Sequence, residues 1–324
     1  MGLSIRGIKS VLRKVLLWET LLKPAKPAYR FASTFLLLRS FLLRNSIGMK
    51  ASGSSVVFSK GERKILAPSS LIIDEKICIA RDFEKLFTFI SSQDGTIDFT
   101  GCVSLAGMSV HTTPGMALEF PDMAATYHRY YAPKKGGTVL DCGSFHGLYA
   151  IAASSLVGAT GKVYCFEPDK GNAAVLRDNL NRNGISNAVI VEKGIWDKDG
   201  TAKMRQEGLA TSSMDFSGAS SNSFSIDVTS LPSFIESNGI SGDIFVKMDI
   251  EGAEIEAVRG CINYMKGHAL NFAIASYHLR DGAETFHALE PMFSEAGYWH
   301  KTEKGETITT YAQPNRSAPS KGRT

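Results

Sequence analysis

The stretch VKMDIEGAE, Val246–Glu254, ends an apolar run and sets Asp249, Glu251 and Glu254 within six positions of one another. Carboxylates so placed accept protons, receive hydrogen bonds from hydroxyl or amino groups, or ligate hard cations. Further on, ASYHLRD presents His278, with Asp281 three residues later. An imidazole titrates near neutrality, and a nearby carboxylate orients it, so His278 with Asp281 is the best pair for a general base. Asp249, Glu251, His278 and Asp281 also offer oxygen and nitrogen ligands suited to magnesium or manganese. No compact ligand motif supports that alternative, and no metal is expected. Two plainer roles compete. Acids in the first turn of a helix favour its dipole, which accounts for Glu254 and in part for Glu251. Lys247, alternating with Val246 and Met248, suits an ion pair with an acid at a strand end.

The elements that must position these groups begin near residue 138. TVLDCG, KVYCFEP, AVIVEKGIW, DIFVKMDI and LNFAIASYH read as five strands, at 138–143, 162–168, 188–196, 243–250 and 270–278. Helical stretches separate them. One follows Gly147; a second is capped by Asp169 and stopped at Gly184; a third buries Ile255, Val258, Ile262 and Met265. The stretch ETFHALEPMFSEAG is a helix that Pro291 kinks or divides. TITTYAQP (307–314) reads as an antiparallel edge strand. Apolar strands alternating with amphipathic helices define an α/β fold with a mostly parallel, buried sheet. Such sheets bind ligands beyond the carboxyl ends of their strands. Asp141 with its glycines, Glu167, and Asp249 with Glu251 all fall there.

The turn DCGSFHG (141–147) follows the first strand and opens the first helix. Gly143 and Gly147 allow close backbone approach to a ligand. The glycines are four apart, so this is not the GxGxxG fingerprint, and a nicotinamide-dependent oxidoreductase is disfavoured. Glu167 ends the second strand about 20 residues after the glycine turn, where an acid takes ribose hydroxyls. Together the two features indicate an adenosine-type cofactor.

TVLDCGSFHGLYAIAA, VYCFEPD, LRDNLNRNG and VKMDIEGAEIEAVRG together resemble the FkbM-type family of S-adenosylmethionine-dependent methyltransferases, over about residues 120–313. The resemblance implies a class I methyltransferase fold: doubly wound, Rossmann-like, with a mostly parallel seven-stranded sheet and an antiparallel hairpin at one edge. It implies S-adenosylmethionine as cofactor and O-methylation of a saccharide, glycolipid or related small molecule. In the turn that holds Asp141 and Phe145, the backbone at Gly143, Ser144 and Gly147 would face the methionine part of the cofactor. His146 stands where the family often has Asn. Glu167 would hold the ribose, with Pro168 and Asp169 shaping that wall. Lys193, Gly194, Ile195 and Trp196 would lie near the adenine. Asp249 would orient the acceptor or the cofactor's amino group. RNA or protein methyltransferases on the same fold are the near alternatives, and a non-catalytic membrane-associated binding module the more distant one. DIEGAE occupies the place of the NPPY-type motif of nitrogen methylation, which argues for oxygen.

The 324 residues suffice for a sizeable core. The net charge of +4 conceals an asymmetry. Residues 1–45 hold nine basic side chains and the single acid Glu19, leaving 27 basic and 31 acidic residues for the rest. The acidic body argues against a nucleic-acid partner. Domains are expected at 1–49 (a basic amphipathic helical extension), 50–119 (a small strand-rich or irregular lead-in), 120–314 (the methyltransferase domain) and 315–324 (a tail). The extension suits three readings: an amphipathic anchor on an anionic membrane surface, a helix pair packed on the body or on a second subunit, or a cleaved transit peptide. The apolar run at 31–43 contains Arg39 and is too short to span a bilayer. The Ser- and Gly-rich 208–225 reads as a mobile lid or a disordered insertion. The five cysteines form no CxxC pair, so a reducing, cytoplasmic setting is expected, with attachment at the membrane surface as the alternative.

Overall fold

The computed structural model describes residues 47–52, 55–68, 96–99, 101–105, 107–206, 212–214, 223–305 and 307–315. Residues 1–46 of the basic extension, the apolar run at 69–74 and much of 208–225 lie outside them. The chain divides into two units, 1–97 and 98–324. In the first, strands β1 (Gly48–Ser52), β2 (Ser55–Lys60) and β3 (Arg63–Pro68) form antiparallel pairs, and the sheet continues to β4 (Thr96–Asp98). Val56 and Phe58, two apart on β2, are buried together with Ile65 of β3, as the period of a strand requires.

The second unit opens with a hairpin, β5 (Val103–Leu105) and β6 (Met108–Val110), and helix α1 (Pro114–Tyr127). Strand and helix then alternate: β7 (Thr138–Cys142), α2 (Leu148–Val157), β8 (Lys162–Phe166), α3 (Lys170–Arg182) and β9 (Ala188–Val191). A second sheet follows, made of β10 (Gly194–Ile195), β11 (Gly200–Gln206), β12 (Ser212–Met214) and β13 (Ser223–Thr229). The alternation resumes with α4 (Leu231–Ser237), β14 (Ile244–Met248), α5 (Glu254–Met265) and β15 (Leu270–Ala275). A small hairpin, β16 (Leu279–Arg280) and β17 (Ala283–Glu284), leads to α6 (Phe286–Glu295), β18 (Tyr298–Lys304) and β19 (Ile308–Pro314).

The main sheet has seven strands in the order β18-β19-β15-β14-β7-β8-β9. β15, β14, β7, β8 and β9 are parallel, and β19 and β18 are antiparallel additions. This is the α/β architecture with an antiparallel edge hairpin that the sequence implies. Strand order reverses between β7 and β14, and ligands bind beyond the strand ends at such a reversal. All five residues of β14 and all six of β15 are buried, as in a sheet covered on both faces.

Three local expectations change. The edge strand is β18, and β19 lies inside it, between β15 and β18. Thr309–Ala312 of β19 are buried, whereas the polar β18 sequence YWHKTEK tolerates an open edge, where charged side chains oppose further strand pairing. The run 188–196 is not one strand. It breaks after Val191, and β10 pairs with β13 in the second sheet, whose order is β10-β13-β11-β12. The described parts of 208–225, residues 212–214 and 223–225, are strand rather than lid.

Several caps are as the sequence dictates. The Asp169 side chain accepts the N–H of Asn172 at the start of α3. Gly184 takes the left-handed conformation (φ 64°) that ends the helix. Pro291 lies inside α6 without dividing it. On α5 the buried stripe is Glu254, Ala257, Val258, Cys261 and Met265, and Ile255 and Ile262 are only partly covered. Cys102, Cys142, Cys165 and Cys261 are free thiols.

Candidate active site

The turn after β7 depends on its glycines. Gly143 has φ 79°, and a Cβ there would lie 1.9 Å from the Asp249 carbonyl oxygen, so the ends of β7 and β14 close on each other only if residue 143 has no side chain. Gly147, with φ 82°, begins α2 against Leu176. Between them Phe145 is held at φ 48°, a conformation costly for an aromatic residue and of the kind that collects at functional sites. Its N–H donates to Glu167 Oε2 at 2.9 Å. Ser144 Oγ donates to the Asp141 carbonyl at 2.8 Å.

Glu167, just past β8, is 5% exposed. Its Oε1 accepts the Asp169 N–H at 3.0 Å and the Asn172 side-chain amide at 3.4 Å. Burial raises its pKa to about 7, against the opposing pull of these donors. A carboxylate has about four acceptor positions, and three are engaged, which leaves room for a ligand hydroxyl.

Asp141, which the resemblance counts among the cofactor-binding residues, pairs with a lysine of the neighbouring strand. The Asp141 side chain is fully buried, and Oδ1 lies 3.1 Å from Lys247 Nζ. Lys247 also donates to the Gly143 carbonyl at 2.8 Å and lies over the rings of Tyr127 and Tyr149. Burial works against its ammonium, but the charges of Asp141 and Asp249 outweigh it and hold the proton on. The pair joins adjacent strands under the glycine turn.

The predicted adenine wall divides. Ile195 is packed in the main core and Gly194 is buried, because β10 is drawn toward β13. Trp196 packs on the smaller cluster of Met204, Ile226, Val228 and Ala253. Lys193 sits in the exposed turn between the two sheets. Pro168 is partly buried ahead of the Asp169 cap. The His146 ring stacks on Phe145, and burial lowers its pKa to about 4, so it is neutral. It lines a cavity of 470 Å³ together with Phe99, His111, Thr113, Val175 and Asp178. No residue of the DIEGAE turn borders that cavity.

Asp249, Glu251, Glu254 and His278 converge at the carboxyl ends of β14 and β15. His278 is 9% exposed. Its Nδ1 lies 3.0 Å from Glu254 Oε1, and its Nε2 lies 3.5 Å from Asp249 Oδ1 and 3.6 Å from Glu251 Oε2. Tyr127, 122 positions before Asp249, donates its hydroxyl to Asp249 Oδ2 at 3.2 Å. Glu254 is completely buried and reaches back to accept the N–H groups of Ile250 (3.0 Å) and Gly252 (3.3 Å). That turn holds Glu251 at φ 55° and Gly252 at φ 96°.

Asp281 is not the partner of His278. It occupies the tip of the β16–β17 hairpin at φ 53°, followed by Gly282 at φ 86°, the two left-handed positions that Asp-Gly favours in a tight hairpin. The imidazole is oriented by Glu254 instead. Burial alone lowers the His278 pKa, but the contact and charge of Glu254, then the charges of Asp249 and Glu251, override it and carry it to about 9. With no cation between them, the three acids thus favour the protonated imidazole. The reading of Glu254 as a dipole acid missed a signal in its spacing. Glu254, Val258, Cys261 and Met265 form one helical stripe, so its face was legible as buried. Tyr127 carried no such signal.

Residues 141–299 match the family model of the methyltransferase FkbM domain. The segment, just under half of the chain, is similar to the FkbM methyltransferase domain. The chain is also similar to a crystal structure of methyltransferase FkbM from Methylobacillus flagellatus KT, at 16% identity and a TM-score of 0.40, over 76% of this chain and 62% of that one. This chain thus spans less than two thirds of the Methylobacillus chain. A SAM-dependent methyltransferase from Aquifex aeolicus is similar at 17% identity and a TM-score of 0.37, over 60% of this chain and 93% of that one. Aeropyrum pernix fibrillarin in complex with natively bound S-adenosyl-L-methionine is similar at 11% identity and a TM-score of 0.38, over 82% and 98%. At these identities and scores the likenesses carry no further weight; the match of the FkbM domain does.

The cofactor of such a domain is S-adenosylmethionine, and the residues present fit it. Glu167 keeps an acceptor position at the carboxyl end of β8, beside the glycine turn. Among the described residues, no helix is long and apolar enough to cross a membrane.

Proposed function

We propose that the protein is an S-adenosylmethionine-dependent O-methyltransferase whose acceptor is a hydroxyl of a saccharide, glycolipid or related small molecule. The observation that carries this reading is the placement of the Asp249–Glu251–His278 cluster directly against the glycine turn. The Asp249 carbonyl meets Gly143, and the Asp249 side chain faces His278.

When bound, S-adenosylmethionine supplies a methyl group on a sulfonium: the acceptor oxygen forms the new O–C bond as the C–S bond breaks and its electron pair goes to sulfur. The chain's own residues hold the partners in line and receive the hydroxyl proton. Glu167 and the backbone of the Gly143 turn anchor the cofactor side. The carboxylates of Asp249 and Glu251 take the acceptor proton. His278, charged and 9% exposed, holds those carboxylates together and offsets their repulsion. The left-handed Glu251 aims its half-exposed side chain at the open side of the cluster, where an acceptor enters.

Calorimetric titration with S-adenosylhomocysteine, on the wild-type protein and on Glu167→Ala, tests the cofactor half. Binding that is lost in the variant is expected. Transfer of labelled methyl from S-adenosylmethionine to a panel of saccharides, glycolipids and phenols, with peptides and RNA alongside, tests the acceptor half. Label appearing only on RNA or protein would overturn the hydroxyl acceptor. Absence of S-adenosylhomocysteine binding by folded protein would overturn the whole reading.

A further inference from the structure

We propose that Asp249, Glu251 and His278 bind a divalent cation that holds and acidifies the acceptor hydroxyl. The proposal rests on the methyltransferase reading for its role in the reaction, but the site stands on its own geometry.

One carboxylate oxygen each of Asp249 and Glu251 and one imidazole nitrogen of His278 all lie within 4.8 Å of one another. Ligands of one cation with bonds of about 2.1 Å sit about 3 Å apart when adjacent. The His278 Nε2 separations of 3.5 and 3.6 Å from the two carboxylate oxygens need little closure to reach that spacing.

A second observation is independent of the carboxylates. His278 is nine-tenths buried, yet neither ring nitrogen makes a hydrogen bond among the described residues; Nδ1 has Glu254 at 3.0 Å, whereas Nε2 has only the two acids at 3.5 and 3.6 Å. A buried polar nitrogen left unmatched is costly and calls for a partner. The 3.5–3.6 Å approaches do not provide one, whereas a cation between the three side chains does.

The surroundings are those of a ligand set. Glu254 lies 3.0 Å from Nδ1, the carboxylate–histidine arrangement that fixes the ring and keeps a proton on Nδ1, so a cation displaces only the proton of Nε2. Tyr127 occupies Asp249 Oδ2 and turns Oδ1 toward the site. Glu251 is 46% exposed, so the site is open on one side for entry and for further ligands. Two oxygens and one nitrogen suit manganese or magnesium. A hydroxyl coordinated there has a lowered pKa, and its proton passes to the unligated carboxylate oxygen of Glu251 and on to water.

The test uses manganese alone. The protein is stripped with a chelator and titrated with Mn²⁺, and the loss of the free-ion electron paramagnetic resonance signal is followed. Saturable binding near one ion per chain is expected, weakened at least tenfold in Asp249→Asn, His278→Gln and the half-exposed Glu251→Gln, and 10–100-fold in Glu254→Gln. Glu251→Gln keeps the test valid if the buried variants fail to fold. No Mn²⁺ binding by folded wild type, or binding unaffected by Glu251→Gln, overturns the site. S-adenosylhomocysteine binding is measured on the same samples. If it persists, and labelled methyl is transferred fully in chelator, the cation is refuted and the methyltransferase reading stands. If it is absent, that reading fails, and the manganese titration still decides the site.

Discussion

Glu254 and His278, 24 residues apart in sequence, meet at 3.0 Å, carboxylate to Nδ1, with the acid completely buried. The same carboxylate oxygen accepts two backbone N–H groups of the DIEGAE turn. One side chain thus fixes both the loop that presents Glu251 and the ring that faces Asp249. Glu254→Ala removes an ion-pair partner and strands two buried donors, and it is expected to cost about 3 kcal/mol in urea unfolding. A loss below about 1 kcal/mol would show that the turn holds itself.

Lys247 and Asp141 are a buried pair at 3.1 Å on adjacent strands. Lys247→Met leaves Asp141 uncompensated in the sheet, at a cost of about 3–5 kcal/mol. Adding Asp141→Asn removes the stranded charge, so the double variant should be more stable than Lys247→Met alone. Additive losses in a double-mutant cycle would refute the coupling.

Glu167 is an acid whose pKa is raised on folding, from 4.5 to about 7. The folded chain therefore binds more protons than the unfolded chain between those values, and its stability falls as pH rises through that window. The loss is complete above about pH 7. Glu167→Gln should flatten the slope between pH 4.5 and 7, measured by chemical unfolding across the range. An unchanged slope would mean that the carboxylate is solvated in the folded protein.

The two glycines of the cofactor turn should differ in their tolerance. At Gly143 an added Cβ meets backbone at 1.9 Å, whereas at Gly147 it meets the flexible end of Leu176 at 2.3 Å. Both alanine variants carry the positive-φ penalty of about 1 kcal/mol. Gly143→Ala should abolish S-adenosylhomocysteine binding or folding, and Gly147→Ala should remain folded with weakened binding. Equal behaviour of the two would remove the steric argument that β7 and β14 close on each other at Gly143.

Asp281 serves the hairpin rather than the imidazole. Asp281→Gly keeps the left-handed tip without strain, so stability should stay within about 0.5 kcal/mol of wild type. S-adenosylhomocysteine affinity should also be unchanged. A large loss of either would return Asp281 to the site.

The sequence by itself determined the alternation of strand and helix, the Asp169 cap, the Gly184 stop, the glycine turn, and the fall of Glu167 and Asp249 just past strand ends. Each depends on local physics: side-chain period, capping and backbone freedom act over a few residues. Only the tertiary structure decided which groups meet. The order of the sheet put β14 between β7 and β15, and this brought Lys247 to Asp141, Glu254 to His278 and Tyr127 to Asp249. Asp281, only three residues from His278, was carried away by a reversal of the chain at Asp281–Gly282. Period and propensity specify the face on which a side chain lies. The neighbour it finds there is set by strand order, which minimises the exposed apolar surface of the whole unit and is not written in any one segment.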